Sequence, residues 1–204
     1  MDIQTLDRVV DITIPTLAKK IGVMLSGGLD STILLFLILK EIQDNKINVD
    51  LTAFIVPVKR LKAKEHAYRV IDFLEKYFQI KINAEVIGSG ELPHNLNINV
   101  PGRMILHQKL VDKLYVGVNQ NPPVDFGVPQ INRRNPNDPI PNNVGFPFLQ
   151  LYKTHILELY RIFNVLELAH MTHSCGTSAD YSCKKCFHCF ERSWAFTELN
   201  LEEI

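Results

Sequence analysis

No cysteine precedes Cys175 in this 204-residue chain. That excludes a disulfide framework spread over the fold. No apolar run reaches about 18 residues, which excludes a membrane-spanning helix. Met1-Asp2-Ile3-Gln4 has neither the basic nor the apolar region of a secretory signal, so a cytoplasmic protein is expected. Net charge is missing too: 22 basic residues stand against 22 acidic ones. The chain therefore offers no general electrostatic case for a nucleic-acid partner. Two familiar nucleotide motifs are also absent, the Gly-Lys-Ser/Thr phosphate loop and the three spaced glycines of dinucleotide sites. There is no internal repeat. The length suits one domain with a real core and a small appendage.

What is present begins at Ser26-Gly27-Gly28-Leu29-Asp30-Ser31. An apolar run, Ile21 to Leu25, precedes it, and a longer Leu/Ile-rich run from Thr32 follows. The first reads as a buried strand over 20–25, the second as a helix over 31–41 packed on a sheet. Six small or polar residues between them form a strand-to-helix turn. Two glycines allow a tight bend and close ligand approach. The helix N-terminus, with Ser26 and Ser31 as extra donors, suits an anion such as phosphate. Asp30 is out of place beside phosphate unless it binds a metal ion or supports the turn. A plain turn of small residues is the alternative.

The pattern continues as strands over 51–56, 81–87 and 114–118, with helices over 63–78 and 104–110. Such alternation predicts an α/β fold, an open parallel sheet with right-handed crossovers and helices on both faces. Residues 1–18 read as a short helix or arm, with Leu6, Val9, Val10 and Ile14 at helical spacing. Residues 88–100 read as a polar loop, 146–149 as a short extended piece and 166–172 as a last strand. Helices are expected over 153–163 and 190–199, the last carrying Trp194 and Phe196. The stretch 119–147 holds seven prolines, with Arg133 and Arg134 in its middle. A loop so long is usually functional or disordered, and this one leaves the C-terminal end of a strand, where ligands bind in parallel sheets. It reads as an active-site flap. The expected division is a nucleotide-binding unit over 1–172 and a C-terminal unit over 173–204.

Cys175, Cys183, Cys186 and Cys189 lie within fifteen positions of one another. Clustering of this kind, in a protein read as cytoplasmic, favours a metal over disulfides. Thiolates two residues apart reach one tetrahedral ion, and four of them leave no open position, so a structural zinc knuckle is expected. His173 or His188 in place of one cysteine, and an iron–sulfur cluster, remain open alternatives.

Ser26 to Ser31 resembles the PP-loop signature, Ser-Gly-Gly-x-Asp-Ser, of the ATP pyrophosphatases. With the cysteine knuckle the chain resembles the 7-cyano-7-deazaguanine synthase family within them. Val100-Pro101-Gly102-Arg103 carries the likeness further, as do Pro147-Phe148-Leu149 with Lys153, and the knuckle with Arg192 and Ala195. The resemblance implies a Rossmann-like fold of the adenine nucleotide alpha hydrolase type. It implies ATP, Mg2+ and Zn2+ as cofactors, and 7-carboxy-7-deazaguanine and ammonia as substrates. The family adenylates that carboxylate, lets ammonia displace AMP, and dehydrates the amide to a nitrile.

On this likeness Ser26, Gly27, Gly28, Leu29, Asp30 and Ser31 hold ATP, and Asp30, Arg103 and Lys153 are catalytic. Cys175, Cys183, Cys186 and Cys189 hold zinc, and a homodimer is implied. Arg103 as a surface ion pair and Lys153 as an ordinary solvated helix residue are the plainer readings. The chain departs from the family at Met104, at Ile55 to Arg60 and at Asn119 to Pro123, all on the substrate side. The same adenylating machinery acting on another carboxylate or a tRNA base, or a lapsed nucleotide-binding protein, are the alternatives.

Overall fold

The structure, a computed structural model, describes residues 1–58, 61–91 and 94–203. Lys59 and Arg60 of the basic connection before the second helix lie outside the described residues. The elements in order are β1 (Asp2–Gln4), β2 (Val9–Asp11), β3 (Lys20–Leu25), α1 (Leu29–Asp44), β4 (Asp50–Ile55), α2 (Ala63–Phe78), β5 (Asn83–Val86) and α3 (His94–His107). Then come β6 (Lys113–Tyr115), β7 (Val144–Gly145), α4 (Lys153–Ile162), α5 (Leu166–Met171) and α6 (Phe187–Glu198). Five strands form a parallel sheet in the order β5-β4-β3-β6-β7.

Side-chain alternation along β3 explains why helices cover both faces. Ile21, Val23 and Leu25 join a core built with α1, α2, α4, α5 and α6. Met24 points the other way, to Phe54, Val56 and Ile105 of α3. Burial on both sides is what makes parallel strands read as continuous apolar runs. Each such Leu, Ile or Phe contributes about 1.5–3 kcal/mol when fully enclosed. Ala195 and Phe196 of α6 belong to the same large core as α1. Among the described residues no helix is long and apolar enough to cross a membrane.

Four local expectations are corrected. Residues 1–18 form an antiparallel hairpin, β1 with β2, not a helix. Ile3, Val10, Ile12 and Ile14 are buried at a period nearer two, while Leu6 and Val9 are exposed. Residues 166–172 hold a helix, α5, in place of a strand; Leu168 and Ala169 are buried side by side and Asn164 closes α4 at φ 55°. A short apolar run does not by itself distinguish the two. The fifth strand is instead β7, and the extended piece expected at 146–149 is a turn. Helix α3 starts at His94 and runs through Pro101, so 88–100 is only partly loop. Ile105 packs that helix against Met24 and Phe54 of the sheet, which offsets the N–H missing at buried Pro101.

Candidate functional site

Strand β3 is flanked by β4 on one side and β6 on the other, so strand order reverses there. Ligands of open α/β sheets bind in the crevice outside the carboxyl ends of the strands at such a point. Ser26 leaves β3 at this end and Gly117 follows β6. A Cβ on Gly117 would lie 3.0 Å from the Asp30 carbonyl carbon and 3.1 Å from the Ser31 nitrogen. The glycine thus lets the second strand press against the start of α1.

The turn is built from its own small side chains. The Ser26 N–H donates to Ser31 Oγ at 3.1 Å, the two hydroxyls lie 3.0 Å apart, and the Gly28 N–H reaches Ser26 Oγ at 3.4 Å. Gly27 has φ +77°. Gly28 is the N-cap of α1, and no side chain caps that helix. Its first N–H groups are left to water or a ligand. Leu29 buries its side chain in the core, and its carbonyl accepts the Tyr160 hydroxyl at 2.7 Å.

Asp30 and Lys153 meet here. Lys153 Nζ donates to both Asp30 oxygens, at 2.7 and 2.6 Å. The ammonium is buried and also lies 3.4 Å from Glu191 Oε2. Arg133 Nη2 reaches that same oxygen at 2.8 Å, and Asn119 Nδ2 donates to Glu191 Oε1 at 3.1 Å. Burial pushes the Glu191 carboxyl up, but Lys153, Arg133 and the hydrogen bonds from Arg133 and Asn119 outweigh it and hold it below the usual range. Glu191 and Asn119 are site residues that sequence reasoning missed, and Arg133 was legible only as a cation within the flap. The one available signal for Glu191 was a charged pair, Glu191-Arg192, just after the knuckle. Arg192 itself is structural: it donates to Thr172 Oγ1, the Ala169 carbonyl and Glu203.

Arg103 is not brought to this cluster. Its side chain is exposed on α3 and makes no hydrogen bond or ion pair with another described residue. The flap, in contrast, is folded onto the site. Arg133 Nη1 donates to the carbonyls of Asn119 (3.0 Å) and Gln120 (2.5 Å), and its guanidinium lies 5.1 Å from the Phe187 ring centre. Phe126 packs on Trp194 at 5.2 Å.

The four cysteines converge, with all sulfurs within 4.8 Å of one another. Cys189 Sγ is 3.8 Å from Cys183 Sγ and 3.5 Å from Cys186 Sγ. Four thiolates around one ion at about 2.3 Å stand about 3.8 Å apart, so this donor set fits a single tetrahedral ion. A four-iron cube, whose irons are spread by bridging sulfides, needs its thiolates farther apart. The Thr177 hydroxyl and the N–H groups of Lys185 and Cys186 lower the Cys183 thiol to about 5, while burial and the neighbouring thiols push Cys189 up to about 12. His173 is not a ligand. Its Nε2–H donates to the Ser178 carbonyl at 2.6 Å and its ring stacks on His66 at 4.4 Å.

His66 in turn bonds the Ala179 carbonyl at 3.1 Å, and Lys62 pairs with Asp180 at 2.6 Å. The His173 N–H donates to the Gly27 carbonyl at 3.0 Å, which joins the knuckle directly to the turn. Beside that junction lies a cavity of about 270 Å³ lined by His66, Arg69, His173, Ser174, Tyr181 and Arg192, among others.

No protein-family profile matches the chain, and no curated protein does. Among solved structures it is similar to the U34-tRNA thiolase NcsA from Methanococcus maripaludis with its 4Fe–4S cluster, at 17% identity and a TM-score of 0.51. That match covers 89% of this chain and 65% of the thiolase, so the chain spans just under two thirds of its neighbour's length. A second similarity is to the NH3-dependent NAD synthetase from Campylobacter jejuni, at 15% identity and a TM-score of 0.47, over 75% of this chain and 67% of that one. The thiolase match establishes the fold: a parallel α/β sheet with helices on both faces.

Proposed function

We propose that this protein is an ATP-dependent adenylating enzyme that converts 7-carboxy-7-deazaguanine and ammonia to 7-cyano-7-deazaguanine. The observation that carries the adenylating half is Lys153 clasping both oxygens of Asp30 across the mouth of the Ser-Gly-Gly-Leu-Asp-Ser turn. A cation fixed beside an uncapped helix N-terminus stabilises the charge that builds on phosphate oxygens in transfer. The deazaguanine half rests on the likeness of the knuckle, of Val100 to Arg103, and of Pro147 to Leu149 with Lys153.

The carboxylate oxygen attacks the α-phosphorus of ATP, the bond to the β-phosphate breaks and pyrophosphate leaves. Ammonia then attacks the acyl carbon, gives up a proton, and AMP departs with the bonding electrons. The amide oxygen next attacks a second ATP with loss of pyrophosphate, and AMP leaves carrying that oxygen as the two N–H protons are lost and the nitrile forms. The turn from Ser26 to Ser31 holds the phosphates, Lys153 supplies the fixed charge and Asp30 aims it. Both Asp30 oxygens are already engaged, so Asp30 suits the lysine better than a magnesium ion. Magnesium bound with ATP would neutralise phosphate charge there. Arg103, exposed and remote in contact from Asp30 and Lys153, is left for the substrate rim.

Cys175, Cys183, Cys186 and Cys189 are assigned to zinc in a structural site. Ligand binding and local folding are coupled in such knuckles. Chelation is therefore expected to raise hydrogen exchange across residues 173–195 by about a hundredfold while β3, β4 and α1 keep their protection. Unchanged exchange after chelation would show that no metal at the cysteines supports the local fold.

Base thiolation on tRNA is the second reading, favoured by the fold neighbour that carries this activity. The sulfur spacing, tight enough for one ion, and the balanced charge weigh against it. The deciding assay combines protein, ATP, magnesium, ammonium and 7-carboxy-7-deazaguanine, read by mass spectrometry. Nitrile plus AMP is the expected result. AMP formed only with a different acceptor moves the substrate assignment, and no AMP with any acceptor overturns the adenylating reading.

A further inference from the structure

Glu191 lies outside the motifs that carry the family likeness for catalysis, yet it is wholly enclosed, at 0% exposure. Three side chains from two separate stretches converge on it. Lys153 comes from α4, and Arg133 and Asn119 come from the proline-rich segment after β6. Lys153 and Arg133 share one oxygen, Oε2, at 3.4 and 2.8 Å. Asn119 takes the other, Oε1, at 3.1 Å. The carboxylate stands two residues beyond Cys189, at the start of the second turn of α6.

We propose that Glu191 is a positioning residue that aims Lys153 and latches the segment 119–134 over it, and that the metal knuckle serves the site by fixing Glu191. Charges alternate along this chain of contacts: Asp30, Lys153, Glu191, Arg133. A buried carboxylate held by two cations and an amide donor has its orientation over-determined. Take its charge away and two cations face a neutral group, repel each other, and each lose a partner. Lys153 is then held by Asp30 alone. Arg133 keeps its bonds to the carbonyls of Asn119 and Gln120, which belong to its own segment, and only the weaker contact with the Phe187 ring still ties it to α6. The latch opens while the root of the segment, where the Gln120 N–H meets the Leu151 carbonyl at 2.7 Å, stays in place.

The part concerning Lys153 rests on the adenylating reading; the part concerning the latch does not. The test is Glu191→Gln in the metal-loaded full chain, which keeps the shape and removes the charge. Metal content is expected to stay at the wild-type level. Hydrogen exchange over 122–134 should rise by about tenfold, since the opening of a segment is read directly in its exchange. The kcat for AMP formation should fall by about a hundredfold, as misplacement of a fixed group by an ångström does, with KM for ATP within about threefold. A purely structural role would not split kcat from KM in this way. Glu191→Asp, which keeps the charge on a shorter arm, should recover part of both losses.

Arg133→Met removes the latch from the segment's side and leaves the knuckle untouched. It should loosen 122–134 equally and lower kcat less than Glu191→Gln does. Wild-type exchange and wild-type kcat in Glu191→Gln overturn the proposal. If that variant loses its metal or its fold, Arg133→Met decides: a loosened segment upholds the latch, and unchanged exchange overturns it. A wild-type protein that forms no AMP overturns the adenylating reading and not the latch, which the exchange data judge alone.

Discussion

Lys153→Met should lower AMP formation by about a thousandfold, the upper end of what losing one fixed charge-stabilising donor costs. Methionine keeps the unbranched buried stem of Lys153 and deletes only the ammonium. Two anions lose a shared cation. Glu191 retains Arg133 and Asn119, so it stays compensated. Asp30 loses both of its hydrogen bonds, but its side chain is 21% exposed and can be hydrated. Breaking a buried pair by removing one partner costs about 3–5 kcal/mol. The hydration of Asp30 puts this case near the lower end, which a domain of ordinary stability survives. The variant should therefore fold, bind metal and fail in catalysis. Lys153→Arg keeps the charge but spreads it over a planar fork that does not fit between two carboxylates, and it should recover less than a tenth of the lost rate. AMP release measured by chromatography, with thermal melting as a control, decides the matter. Activity within about tenfold of wild type in Lys153→Met would remove the lysine from the chemistry.

The legible parts of this fold were those that physical chemistry writes locally. Residues Lys20–Leu25 and Lys153–Ile162 lie where the apolar runs and helical spacing put them, and the four cysteines meet as their spacing requires. The hidden parts depend on pairings distant in sequence. Glu191 finds Asn119 across 72 positions and Lys153 finds Asp30 across 123. No local pattern announces such contacts. The proline-rich stretch could be read as a flap, but its one-sided anchoring by Arg133 could not, because the anchor is a carboxylate on another element. The misread N-terminus fails for a different reason. Its strands have three residues each, too few for alternation to outweigh an accidental helical spacing. Residues 166–172 hold four apolar positions, Leu166, Leu168, Ala169 and Met171, too few to fix a period, and only the burial of Leu168 beside Ala169 separates helix from strand.

The adjacent glycines of the turn should respond very differently to substitution. Gly27 sits at φ +77°, a conformation that costs an ordinary L-residue about 1–2 kcal/mol and a β-branched one more. A Cβ there would also lie 2.8 Å from His66 Cβ and 2.9 Å from the Ala67 nitrogen, so the backbone of α2 must retreat. Overpacking of that kind adds about 1–3 kcal/mol. Gly27→Val is thus expected to destabilise the fold by roughly 3–5 kcal/mol, or about 10 °C in Tm for a chain of this size. The damage should spread, because His66 carries the stack on His173 and the bond to the Ala179 carbonyl, and both lead into the knuckle. Gly28 has an ordinary φ of −87°, and its Cβ would meet nothing closer than Ser26 Oγ at 3.4 Å. Gly28→Ala should leave Tm within about 2 °C. Its methyl group would stand at the uncapped start of α1, where a phosphate must come close, and ATP binding measured by calorimetry should weaken by about tenfold. Equal destabilisation by the two substitutions would contradict this division. The first glycine is required by the packing of α2 against the turn, and the second by what the turn has to bind.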